Sequence, residues 1–378
     1  MKRINFWEYK DELKFLEKKN IFQKIKKTLQ TGEIFFGKTL EKFEKNFLNF
    51  NKSSYGLSVK TGTDALILSL IAAGVKSGDE IITVSLTAIP TVSAIVTIGA
   101  IPVFVDVDDQ CLMNVKQIKE KITRKTKAII PVHLYGKACE LNKILKLARI
   151  NKIKVIEDCA QSFGAKYKKK YVGNYGDFGC FSFYPTKVLG AYGDGGFITC
   201  RNKKDLEKLR QLRFYGLETS NKKHKQFKKY YSNIHGINSR LDNIQATILN
   251  LKLNFIKKWI NKRQEYAKIY NKKILNNKKI NKDHAYHLYV LKTKYRNHLI
   301  NYLKLKNISL GIHYENPIHK MEPYKKYFKK NSSPLRNSER LSKEIFSLPL
   351  HPFISKKTII EIANEIILYK KKFNHEIQ

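Results

Sequence analysis

Between residues 55 and 200 the chain repeats one pattern, a short β-branched apolar run followed by a helix-length amphipathic stretch. Candidate strands are IITVSL (81–86), IPVFVD (101–106), KAIIPV (127–132), IKVIED (153–158), GCFSF (179–183) and GFITC (196–200). Helical patterns such as TDALILSLIAAG (63–74) and ELNKILKLARI (140–150) lie between several of them. Strands that are apolar almost throughout cannot expose either face to water. The alternation therefore predicts an α/β fold with a large, mostly parallel sheet covered on both faces. Asp79, Asp106 and Asp158 fall near element ends, where such folds place turns and ligands.

After residue 200 the texture changes. A polar, lysine-rich stretch (202–232) precedes a helical segment around 240–275. AYHLYVLKT, NHLINYLKLKN and ISLGIHYE then read as strand, helix and strand between 285 and 315, and KTIIEIANEIILYKK reads as a helix. These predict a smaller α+β C-terminal domain. We divide the chain into a large domain over 1–250, with an N-terminal helical segment, and a small one over 251–378. The tail beyond about 372 is expected to fray.

Charge excludes less than it suggests. Across 378 residues, 73 basic against 32 acidic side chains leave a net +41. Such a balance suits a nucleic-acid or membrane-surface binder. The positives are mostly scattered lysines, with short clusters at Lys168–Lys170, Lys222–Lys229 and Lys370–Lys372, and no continuous basic arm. That scatter fits solvated faces better, so neither a nucleic-acid nor a membrane partner is expected. A basic surface still draws anionic small substrates from a distance. Cys111, Cys139, Cys159, Cys180 and Cys200 form no CxxC pair and are odd in number. They read as reduced, buried thiols rather than a disulfide frame or zinc site, and no metal is expected. With no apolar signal core and no membrane-length apolar run, a cytoplasmic protein is expected.

Three local features carry chemistry. Thr61, Gly62 and Thr63 stand immediately before a good helix. Free N–H groups there can seat a phosphate, although a simple Thr cap explains the same residues. Asp158 ends an apolar strand on the edge where open sheets bind ligands, with Gln161 three residues on. A carboxylate there needs a partner, such as a protonated ring nitrogen. Lys187 follows the strand-like GCFSFYP and precedes Gly190, Gly193, Gly195 and Gly196, on a loop that can approach a ligand closely. A lysine in a low-dielectric site can become a neutral nucleophile. An amine, an acid for a pyridinium ring and a phosphate seat are the parts that pyridoxal 5'-phosphate (PLP) enzymes require. No dinucleotide or Walker pattern competes for the glycines.

TGTDAL, GAIPVFVDVD, TKAIIPVHLYG, VIEDCAQSFGA, GDFGCFSFYPTKVLGAYGDGG, GINSRLDNIQA, GIHYENPIH and FSLPLHPF occur in this order over roughly residues 30 to 360. Together they resemble the PLP-dependent nucleotide-sugar aminotransferases of DegT type. The resemblance implies an aspartate aminotransferase-like fold and a homodimer with shared active sites. It makes Lys187 the Schiff-base lysine and proton shuttle, and Asp158 the partner of the pyridine nitrogen. Gln161 matches a contact to the ring's phenolic oxygen. Gly62, Thr63 and Ser182 match the phosphate seat, and Asn238 a residue reaching the phosphate from the neighbouring subunit. Tyr184, His313 and His319 match the substrate mouth, and Ala88 stands where many members stack an aromatic residue on the ring.

The implied reaction moves an amino group from L-glutamate through PLP to a nucleotide-linked keto-sugar, for surface glycan synthesis. HLYG and EDCAQSFGA look more like members acting on a dTDP-3-oxo-6-deoxyhexose, with a 4-keto or UDP-linked sugar as the alternative. Lysine-less relatives are dehydratases, and Lys187 argues against that route. The less favoured readings are a catalytically silent regulator that keeps Lys187 and a basic nucleic-acid-binding protein, which rests on the net charge alone.

Overall fold

In a computed structural model describing residues 3–217, 231–328 and 333–378, the apolar runs assemble into one seven-stranded sheet. Three helices come first, α1 (Lys10–Glu17), α2 (Ile21–Gln30) and α3 (Gly37–Asn51). The sheet region holds β1 (Tyr55–Val59), α4 (Gly62–Ala72), β2 (Glu80–Val84), α5 (Ile89–Thr97), β3 (Ile101–Val105), α6 (Ile118–Lys121), β4 (Thr126–Ile129), α7 (Leu141–Ile150) and β5 (Lys154–Asp158). A small hairpin of β6 (Lys166–Tyr167) and β7 (Lys170–Tyr171) precedes β8 (Phe178–Ser182) and β9 (Gly196–Cys200). The remainder is α8 (Lys203–Leu212), α9 (Asn243–Leu253), α10 (Ile256–Ile274), β10 (Tyr289–Lys292), α11 (Arg296–Leu305), α12 (Arg336–Glu344), β11 (Ile345–Leu348) and α13 (Lys356–Phe373).

The sheet order is β1-β9-β8-β5-β4-β2-β3. β3, β2, β4, β5 and β8 run parallel, and β9 runs against both its neighbours. β1 was absent from the sequence reading. Its five residues, YGLSV, are short and contain a glycine, and it forms a strand by pairing along its whole length with β9. α4 is apolar around most of its circumference because it is enclosed, with Ala65, Leu66, Leu68 and Leu70 packed against Ile156, Phe178 and Ile198 of the sheet. On the other face, Phe43 and Phe47 of α3 meet Phe181, Phe183 and Phe197. Each such aromatic burial is worth on the order of 1.5–3 kcal/mol. These two cores clamp β5, β8 and β9, the strands whose ends build the site.

The smaller α+β part surrounds the antiparallel pair β10–β11, with Leu299 and Leu303 of α11 and Ile359, Ile362 and Ile366 of α13 in one core. α10 serves both parts. Ile256, Trp259 and Ile260 pack with α3 and β8, while Tyr266, Tyr270 and Ile274 pack with the β10–β11 core.

Two expectations need correction, and one stretch gains a structure that composition left open. ISLGIHYE forms no named strand. Ile308 and Gly311 make single bridges to Ile4 and Ser347, and the partner of β10 is β11, from IFSL. The tail does not fray: Gln378 exchanges both main-chain hydrogen bonds with Lys292, and Ile377 is buried in the core. The lysine-rich stretch after 200 begins as a helix. Leu206, Leu209 and Leu212 of α8 form a buried stripe, and Asn202 caps its start by accepting from the Asp205 N–H at 2.9 Å. The cluster Lys222–Lys229 lies outside the described residues. All five cysteines are free and buried. Among the described residues no helix is long and apolar enough to cross a membrane.

Candidate active site

The carboxyl ends of β2, β5 and β8 open into a cavity of about 510 Å³. Its wall includes Thr61, Gly62, Thr63, Ala88, Asp158, Gln161, Ser182, Tyr184, Lys187 and His313, so nine residues singled out from the sequence meet in one place together with the cap residue Thr61. This is the position where open sheets bind ligands, because strand ends and helix starts converge there.

Asp158 closes β5 and is 4 % exposed. Its Oδ2 accepts the Thr91 hydroxyl at 2.8 Å and its Oδ1 accepts the Ala160 N–H at 3.0 Å. Burial pushes its pKa up, opposed by those two bonds and by the charge of Lys187. Behind it, Glu157 accepts N–H groups from Gly173, Tyr175 and Gly176 at 2.9, 2.7 and 2.7 Å. His133 Nδ1 accepts the Cys139 N–H at 3.1 Å, so its Nε2 carries the proton and donates to Glu157 at 3.0 Å. Cys159 lies close enough to complete a metal-like trio, but neither imidazole nitrogen is free. The group acts as a buried strut for the strand that presents Asp158.

Lys187 sits on the loop between β8 and β9. The loop is folded onto itself by the Lys187 N–H to the Tyr184 carbonyl, the Ala191 N–H to the Phe183 carbonyl and the Phe183 N–H to the Gly195 carbonyl, each at 2.8 Å. Burial lowers the lysine pKa to about 8, against the opposing pull of Asp158. Its amine therefore gives up its proton far more readily than an ordinary lysine and reaches its neutral, carbonyl-attacking form as pH approaches about 8.

α4 begins at the cavity wall. Thr61 caps it by accepting the Asp64 N–H at 2.9 Å. Gly62 is needed by close approach, since a Cβ there would lie 2.6 Å from Ser182 Cβ. Thr63 and Ser182 flank the first turn of α4 at the cavity wall, and N–H groups at a helix start can hold an anion.

Gln161 is pinned at both ends: its Oε1 accepts the Tyr135 N–H and its Nε2 donates to Tyr314 Oη, each at 2.8 Å. His313 shares a hydrogen bond of 3.1 Å with Ser347 Oγ, and its carbonyl accepts the Tyr135 hydroxyl. Burial, reinforced by Lys187, takes its pKa down to about 4, so it is neutral at pH 7. Tyr184 stands at the mouth, 54 % exposed.

Two of the expected residues do not line this chain's cavity, one of them, Asn238, being expected at the neighbouring subunit's site. His319 is buried outside the cavity, with Nδ1 2.6 Å from Ser85 Oγ and Nε2 3.1 Å from Glu339 Oε1. It fixes the turn after residue 317 to the end of β2. Asn238 is exposed and does not line the cavity of its own chain. The structure adds Thr91, Tyr135, Tyr314, His287, Phe6 and Trp7. Thr91 had a faint signal, since it lies on the first turn of a helix just past a strand end; its hydroxyl is 3.1 Å from that of Thr87, which precedes the helix. Phe6 and Trp7 had none, because they are brought in from the far N-terminus.

Comparison with known proteins agrees with this geometry. The sequence profile described as the DegT/DnrJ/EryC1/StrS aminotransferase family matches residues 16–367. The chain is 36 % identical over 376 residues to a dTDP-3-amino-3,4,6-trideoxy-alpha-D-glucose transaminase of Micromonospora megalomicea subsp. nigra, covering 96 % of this chain and 98 % of that one. It is 38 % identical over 358 residues to a dTDP-3-amino-3,6-dideoxy-alpha-D-galactopyranose transaminase of Aneurinibacillus thermoaerophilus, covering 93 % and 95 %. Among solved structures, S. venezuelae DesV superposes with a TM-score of 0.90 at 29 % identity, over 98 % of this chain and 99 % of that one. The chain belongs to the DegT/DnrJ/EryC1/StrS aminotransferase family and is a transaminase whose cofactor is PLP.

Proposed function

We propose that this enzyme transfers the amino group of L-glutamate to a nucleotide-linked keto-sugar, with a dTDP-3-oxo-6-deoxyhexose as the substrate class. The product is an amino sugar for surface glycan synthesis in the cytoplasm. The observation that carries the reading is the convergence of Lys187 and Asp158 on one cavity beside the start of α4. The two relatives described above support the sugar class by their names.

The residues fit PLP. Asp158 keeps acceptor capacity beyond its bonds to Thr91 and Ala160, in a buried place where a cationic partner stabilises it. The absence of a Cβ at Gly62 lets the start of α4 close onto Ser182, which puts the first-turn N–H groups beside the Ser182 hydroxyl at the cavity wall. Bound PLP supplies an electrophilic aldehyde and a pyridinium ring that accepts electrons from the α-carbon. Lys187 is proposed to hold the cofactor and to carry a proton at Nζ. Asp158, aimed by Thr91, is proposed to hold the ring nitrogen, and Gln161 to face the ring oxygen. Gly62, Thr63 and Ser182 are proposed to seat the phosphate, and Ala88 to cover one ring face. Tyr184 and His313 are proposed to guide the sugar at the mouth.

A homodimer completes the proposal. Asn238 is exposed, as are Ile34, Phe35 and Tyr215, so this face can meet a second copy and offer Asn238 to its phosphate seat. We propose a large PLP-binding unit over 1–250 and a small one over 251–378, with α10 as their shared spine. The test is a panel of dTDP- and UDP-linked 3-keto and 4-keto sugars incubated with L-glutamate, with products identified by mass and NMR. Amination of the dTDP-3-keto sugar alone supports the assignment. Amination only of a UDP-linked or 4-keto sugar redirects it, and amination of none removes it.

A further inference from the structure

Lys252 of α9 is 1 % exposed and lines no part of the cavity. A cation so deeply placed needs partners, and it has three. Its Nζ donates to the Gly190 carbonyl at 2.7 Å, pairs with Glu12 of α1, and lies 4.2 Å from the centre of the Tyr192 ring. Glu12 is itself 5 % exposed. Burial lowers the lysine pKa, and Glu12 opposes that shift.

Gly190 lies three residues after Lys187 and closes a tight turn, since a Cβ there would fall 2.2 Å from the Pro185 carbonyl oxygen. Gln245, seven residues before Lys252 and so on the same face of α9, accepts the Tyr192 N–H at 3.0 Å. The helix thus grips the Lys187 loop at two backbone points, on either side of Ala191. On the other side, Glu12 belongs to the helix whose lead-in residues, Phe6 and Trp7, wall the cavity.

We propose that Lys252 is a positioning residue, which ties the loop bearing Lys187 to the N-terminal wall of the cavity through Gly190 and Glu12. The proposal rests on the reading of Lys187 given above. An apolar side chain fills the same volume without desolvating two charges, so stability alone does not call for this pair. What the pair adds is one fixed geometry for the loop.

The test compares the wild type with Lys252→Met, the double variant Glu12→Gln/Lys252→Met, and Gln245→Leu. Three quantities are read: Tm, the pH midpoint of the visible absorption of the PLP-loaded enzyme, and the rate at which apoenzyme captures PLP. Lys252→Met leaves Glu12 buried and unpaired, so its Tm falls, and the double variant recovers most of that loss. Both variants are expected to keep a shifted midpoint and a capture rate slowed about tenfold, the scale of one lost hydrogen bond to a charged group. Gln245→Leu removes the other grip with no buried charge left behind, and shifts both readouts in the same direction. A wild-type midpoint and capture rate in either the double variant or Gln245→Leu overturns the proposal. A wild-type enzyme with no visible PLP band overturns instead the reading of Lys187 on which it rests.

Discussion

Thr91, on the first turn of α5, donates its hydroxyl to Asp158 Oδ2 across 67 residues of sequence, at 2.8 Å. The carboxylate at the end of β5 is thereby aimed by a neighbouring helix, while its other oxygen is held locally by the Ala160 N–H.

Removing that aim has a measurable cost. Thr91→Val keeps the shape but deletes the donor, so the Asp158 pKa rises further and its grip on a ring nitrogen weakens. A hydrogen bond to a charged group is worth about 1.5–3 kcal/mol, so PLP affinity and kcat are expected to fall about tenfold or more, with Thr91→Ser near wild type. Equilibrium dialysis of PLP and steady-state kinetics check this.

Lys187→Ala is expected to abolish both turnover and the visible absorption of the PLP-loaded enzyme. In the wild-type apoenzyme, deprotonation near pH 8 exposes the nucleophilic amine, so PLP capture accelerates as pH rises, with its midpoint near 8 and a plateau only well above it. Stopped-flow absorption across pH 6–10 tests it, and a flat profile counts against the assignment.

Ala88 lines the cavity just before the first turn of α5 and is the residue proposed above to cover one ring face. Ala88→Phe is expected to stay active and to release PLP several-fold more slowly, by stacking worth about 0.5–1.5 kcal/mol. Complete loss of cofactor shows that this wall is used differently.

Acid weakens the fold through buried histidines. Burial depresses His351 to about 3, with the charge of Arg263 adding to the shift, and depresses His284 to about 3 and His313 to about 4. Below the unfolded-state pKa near 6.5 the unfolded chain gains protons that the native fold refuses. Stability is thus complete above 6.5 and declines towards pH 4, by up to about 1.4 kcal/mol per pH unit for each histidine. Urea unfolding at pH 7 and pH 5 reads this directly. His351→Asn is expected to flatten the dependence.

Local physics accounts for what was legible in the sequence. GFITC was read as residues 196–200 and β9 occupies them, because a five-residue apolar run between a glycine turn and a helix cap has few alternatives. Asp158, Lys187 and the Thr61 cap were each marked by their immediate neighbours: a strand end, a glycine loop and a helix start. The sequence by itself thus determined the alternating sheet, its binding edge and the chemistry offered there.

Tertiary structure decided which groups meet. His319 and His313 lie in the same motif, yet Ser85 and Glu339 bind one into the scaffold while the other faces the cavity. Thr91, Tyr135 and Tyr314 gain their roles from partners 67, 178 and 153 residues away. Residues 308–315 lost their expected strand because single bridges to Ile4 and Ser347 replace a ladder there, and the tail is ordered because Lys292 gives it a partner. Such pairings are fixed only when the sheet closes and brings distant segments together, and neither periodicity nor turn chemistry encodes them.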